Sequence, residues 1–69
     1  MNTLTLTTNV DLHGDRSYSL EGMLKDEDGR PFPVGEFSFK RDRIERSVKY
    51  YVEEFNVRQV VHLTVQEAI

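Results

Sequence analysis

The sequence predicts an α+β domain of element order βββαβ: a four-stranded, mostly antiparallel sheet in the order 4-1-2-3, with one helix packed on one face. Three observations carry this expectation. Apolar and polar residues alternate with a period of two from Leu4 to Leu24, an apolar stripe at helical spacing runs from Ile44 to Phe55, and a β-branched run follows Asn56.

Leu4, Leu6, Thr8, Val10 and Leu12 alternate with Thr3, Thr5, Thr7, Asn9 and Asp11, as expected of a first strand with one buried face. His13, Gly14, Asp15 and Arg16 supply turn chemistry, Gly14 and Asp15 tolerating conformations that bulky residues avoid. Tyr18, Leu20, Gly22 and Leu24 then alternate with Ser17, Ser19, Glu21 and Met23. The second strand breaks at Asp26-Glu27-Asp28-Gly29-Arg30, where the Asp28-Gly29 pair favours a tight hairpin turn. In the third segment Phe32 and Val34 share one parity, and Phe37 and Phe39 the other. A bulge at Gly35 would return all four to one face.

Asp42 followed by Glu45 reads as a capping box, in which the side chains satisfy amides that the first helical turn leaves unpaired. Ile44, Val48, Tyr51, Val52 and Phe55 give the helix its apolar stripe over roughly three to four turns, and Asn56 suits its C-terminal stop. Val57, Val61, Leu63 and Val65 share one parity in a fourth strand that ends near Gln66. A helix of this length carries the chain back along the sheet, so strand four should lie parallel to strand one. One helix covers one face. The other is expected to present Thr3, Thr5, Thr7, Ser17, Ser19, Glu21, Met23, Val60, His62 and Thr64.

No repeat, linker or low-complexity tract divides the 69 residues, which read as a single domain, 1–69. A chain this short buries only about 60% of the surface it exposes when unfolded. Without cysteine its stability, about 3–5 kcal/mol, must come from a compact core, a partner or a homodimer. The lack of cysteine, of a leader-like N-terminal segment and of a long apolar run points to the cytoplasm and away from the membrane.

The residues give no catalytic constellation. The only histidines are His13 in a turn and His62, expected on the open face near the hydroxyls of Thr5, Thr7, Ser17 and Ser19; such hydroxyls are abundant on any exposed strand face, so His62 reads as a solvated histidine on a polar sheet. Metal binding finds no support, because Cys is absent, the histidines are far apart, and Asp26-Glu27-Asp28-Gly29 lacks the remaining ligands of a calcium loop. Gly14, Gly22, Gly29 and Gly35 are isolated and none opens the helix, so no phosphate-cradling motif and no nucleotide cofactor is expected. Glu53 and Glu54 are adjacent on the helix and point apart.

Charge placement is the informative feature. Nine Lys and Arg against twelve Asp and Glu give a net charge of −3. Residues 40–49 hold five basic and two acidic side chains, +3, which leaves −6 for the rest. Basic residues at a helix start, with Glu53 and Glu54 at its end, oppose the helix dipole. The pairs Asp42 to Arg46 and Glu45 to Lys49 are spaced to neutralise part of the patch. Two surfaces are therefore candidates for binding: the basic helix start, with Arg41, Arg43, Arg46, Lys49 and Tyr50, and the acidic tip, with Asp26, Glu27 and Asp28. Opposed patches can orient a protein partner without a basic whole. The same arginines on phosphates, with Tyr50 stacking, would serve a small nucleic-acid-binding domain.

The βββαβ order, with an acidic Asp-Gly hairpin and a helix after the third strand, is similar to antitoxin domains of the HicB type, without that family's Pro-Gly-Cys-like residues before the helix. In size, acidity, absence of cysteine and element order the chain also resembles small phage proteins that inhibit bacterial defence, such as anti-CRISPR proteins. That resemblance implies a non-catalytic inhibitor that blocks a larger protein or nucleoprotein complex.

Overall fold

The computed structural model describes residues 2–68. Its elements are β1 (Thr3–Val10), β2 (Arg16–Lys25), β3 (Pro31–Ser38), α1 (Arg41–Phe55) and β4 (Gln59–Gln66). They form one sheet ordered β3-β2-β1-β4, the expected 4-1-2-3 read from its other edge. β2 runs antiparallel to both β1 and β3, and β4 is parallel to β1.

The core uses one parity of the meander. Leu4 and Leu6 of β1, Tyr18, Leu20 and Leu24 of β2, and Val34 of β3 are buried with Ile44 of α1, and Phe32, Val48, Tyr51, Phe55, Val57 and Val60 pack around them. Gly22 sits within this parity at a point of close approach. A Cβ there would lie 2.6 Å from the Thr3 carbonyl oxygen and 2.9 Å from Leu4 Cδ2.

The helix lies over β2 and β3. It leaves the Ser38 end of β3 and finishes where the Phe55 ring meets Phe32 edge-on at 4.9 Å. Fifteen residues give a helix about 22 Å long, and the molecule is 45 Å in its long dimension. The sheet therefore outruns the helix. Under α1, Ser47 Oγ donates a 2.6 Å hydrogen bond to Glu36 Oε1. Burial, then hydrogen bonding to Glu36 and its negative charge, then Tyr50, hold the Tyr51 hydroxyl above its usual pKa of 10.0.

Asn2 joins three elements at the far end. Its Nδ2 donates to the Phe55 carbonyl at 2.6 Å, its Oδ1 accepts from the Lys25 N–H at 3.0 Å, and its own carbonyl accepts from the Arg58 N–H at 2.9 Å. Asn56, left-handed at φ 52°, closes the helix as expected.

Both hairpins close by one device. Asp11 Oδ1 accepts from the amides of His13 and Asp15, and Asp26 Oδ1 from those of Asp28 and Arg30. Each loop also has a glycine amide bonded back to its aspartate carbonyl, with Gly14 at φ 83° and Gly29 at φ 78°. The second turn is thus a longer, aspartate-closed loop in place of the expected tight Asp28-Gly29 turn, and only its glycine is left-handed. β1 stops at Val10, which leaves Leu12 exposed in the first loop.

Four further expectations are corrected. No bulge forms at Gly35, because pairing runs unbroken from Tyr18–Ser38 to Lys25–Pro31. Glu36 instead takes the helix face, where Ser47 satisfies it, and Phe37 and Phe39 point away. There is no capping box: Lys40 is the N-cap and makes no side-chain cap bond, so Asp42 already lies within the first turn. Val52 is exposed at the margin of the apolar stripe. In β4 the parity is the reverse of that expected. Val60, His62 and Thr64 align with Leu4, Leu6 and Thr8 on the helix face, and Val61, Leu63 and Val65 lie with Thr5, Thr7 and Asn9 on the open face. With α1 over the opposite half of the sheet, no deep core selects a face for β4.

Candidate contact surface

The basic helix start is solvent-exposed and half neutralised within the helix. Arg41 Nε lies 2.8 Å from Glu45 Oε1, and Arg46 Nη2 lies 3.6 Å from Asp42 Oδ2. Asp42 to Arg46 forms as the spacing predicted, whereas Glu45 turns back to Arg41 and not forward to Lys49. Exposed pairs of this kind contribute up to about 1 kcal/mol each. Among the described residues Arg43 and Lys49 have no ion-pair partner. Tyr50 is exposed, with its ring against Tyr51 at 5.3 Å and Phe55 at 6.1 Å.

The acidic tip lies at the opposite end of the molecule. Asp26, Glu27 and Gly29 share a surface hollow with Lys25, Glu54 and Arg58, beside the helix C-terminus. The two candidate patches are therefore kept apart. Within the tip the roles divide: Asp26 uses its carboxylate to close the loop, and Glu27 and Asp28 project into solvent.

Sequence reasoning missed the exposed aromatic pair at the basic end. Phe37 and Phe39 are 59% and 76% exposed, and their rings meet edge-on at 5.1 Å. Their parity, taken without a bulge, was the signal that could have placed them. Phe39 borders a shallow depression on the open face whose lining includes Asn9, Ser17 and Val65. Asn9 Nδ2 donates to Ser19 Oγ at 3.2 Å. The open face thus has a Ser/Thr/Asn floor with apolar margins, Phe37 and Phe39 on one side and Leu63 and Val65 on the other.

His62 lies on the helix face, across the sheet from Thr5, Thr7, Ser17 and Ser19. The imidazole is thereby removed from the hydroxyls it was expected to approach. Among the described residues no group of three or more His, Asp or Glu is placed to hold a metal ion, and no helix is long and apolar enough to cross a membrane. Comparison with protein families, with curated proteins and with solved structures finds no match to this chain.

Proposed function

We propose that this chain is a non-catalytic protein-binding module that acts by occupying a surface of a larger protein or nucleoprotein complex, in the manner of a phage-derived inhibitor. The observation that carries the reading is the exposed Phe37–Phe39 pair directly before the basic helix start. Aromatic and arginine side chains dominate the energetic centres of protein interfaces, where the ring is desolvated and the guanidinium fixes orientation. Phe37, Phe39, Arg41 and Arg43 supply that combination within seven residues of chain, and the acidic opposite end can bias how the molecule approaches.

The test is capture of partners from source-cell or host extract by the wild type and two paired variants. Phe39→Ser with Arg43→Ser should weaken capture by roughly tenfold or more, while Glu27→Gln with Asp28→Asn should leave it largely intact. Equal capture by all three would refute the assignment. A salt-sensitive fluorescence-anisotropy signal with single-stranded or duplex DNA, lost in Arg43→Ser and Lys49→Ser, would replace it with the nucleic-acid reading.

A further inference from the structure

The two edges of the sheet differ in what they offer a further strand. On β3 the Asp26 N–H to Arg30 carbonyl bond sets the ladder, making Leu24–Phe32 and Gly22–Val34 the hydrogen-bonded pairs with β2. Pro31 and Pro33 therefore turn their nitrogens to the free edge, which lacks donors at both positions. On β4 the Glu67 N–H to Val10 carbonyl bond, 2.8 Å, continues the ladder with β1. Gln59, Val61, Leu63 and Val65 are the residues bonded to β1, so Val60, His62, Thr64 and Gln66 direct their amides and carbonyls outward.

β4 has none of the devices that usually blunt a free edge. Its eight residues include no proline, Lys, Arg, Asp or Glu. Leu63 and Val65 are 49% and 53% exposed.

We propose that a second copy of this chain pairs with β4, antiparallel about a twofold axis at Leu63, to make one eight-stranded sheet. The register follows from the side chains. Centred on Leu63, the open face sets Leu63 opposite Leu63 of the second copy and Val61 opposite Val65, twice by symmetry. On the helix face His62 faces Thr64 and Val60 faces Gln66, and the outward backbone groups of these four residues bond to one another. Centring on His62 instead would oppose two imidazoles and set Val65 against Gln59. An edge contact is smaller than the ~800 Å² per partner of a standard stable interface, so the dimer is reversible and concentration-dependent.

Sedimentation velocity over rising concentration tests the pairing. The mass should climb from 8.1 kDa toward twice that value, and Leu63→Lys, at an exposed position, should hold it at the monomer. The cysteine-free chain permits a second readout that fixes the register. Leu63→Cys places two thiols across the axis and should form a disulfide dimer on mild oxidation. Val61→Cys faces residue 65, about 13 Å along the strand from its own copy, and should cross-link far more slowly. A wild type that stays monomeric throughout, a Leu63→Lys variant that still associates, or equal cross-linking of the two cysteine variants would overturn the proposal. The first of these outcomes would leave β4 to solvent or to a strand of another protein.

Discussion

Replacing Asn2 should weaken this domain far more than its position in the chain suggests. Its amide donates to the last carbonyl of α1 and accepts from the Lys25 amide at the end of β2. Asn2→Ala removes both bonds. At about 0.5–1.5 kcal/mol each, the loss is about 1–3 kcal/mol. For a domain of this size that corresponds to a melting-temperature decrease of roughly 4–24 °C, partial exposure of the site favouring the lower half. Asn2→Asp separates electrostatics from hydrogen-bond number. The carboxylate keeps the Lys25 bond but turns an acceptor toward the Phe55 carbonyl at the negative end of the helix, so at neutral pH it should be worse than alanine. Once protonated, the acid can donate to that carbonyl. The folded-state pKa of the introduced group is therefore raised above the ~3.9 of an unfolded aspartate. Its favourable contribution is present below that value and lost as pH rises through the folded-state pKa. Thermal unfolding followed by circular dichroism between about pH 3 and pH 7, with the wild type subtracted at each pH, measures the difference. An Asn2→Ala variant as stable as wild type, or an Asn2→Asp deficit independent of pH, would refute the reasoning.

Two other substitutions test the packing. Gly22→Ala forces a methyl against the Thr3 carbonyl oxygen and Leu4, so urea unfolding should show a loss of about 1–3 kcal/mol even though alanine is better suited to ordinary backbone than glycine. Tyr51 titrates above its usual value in the folded chain, so its contribution is complete below about pH 10 and declines as pH rises through the folded-state pKa. Tyr51→Phe should flatten the alkaline limb of the stability profile, and an unchanged limb would remove Tyr51 as its cause.

The elements legible in the sequence were those whose two faces meet different surroundings. Leu4, Leu6 and Leu20 alternate with mostly polar neighbours because the face they share is buried in the core with Ile44 of α1, while among the described residues no element covers the other face. Asn56 announced the helix end through its tolerance of left-handed backbone. The failures share a cause. β3 and β4 have apolar residues on both parities, and pattern alone could not choose a register for them. On β3 the deciding contact was polar, between Glu36 and Ser47, and a search for an all-apolar inner face passed over it. The helix start was misread because aspartate is a good cap residue, yet the chain places Lys40 there and uses Asp42 to pair with Arg46. The candidate site suffered likewise. Arg41, Arg43, Arg46 and Lys49 are visible as a cluster, but the bulge expected at Gly35 puts Phe37 and Phe39 on the face of Phe32 and Val34.

The twin aspartate-closed loops also set an order of events in folding. Each joins strands adjacent in the chain, so the β1-β2-β3 meander can assemble from local contacts, with turns that need no distant residue to hold their shape. β4 meets β1 at a separation of 56 residues, Thr3 against Gln59, the costliest closure in the molecule. Docking of α1 on β2 and β3 shortens that closure. The meander and helix are thus expected to form early and β4 to arrive last, and native-state hydrogen exchange should find the β4 amides exchanging ahead of those of β1 and β2.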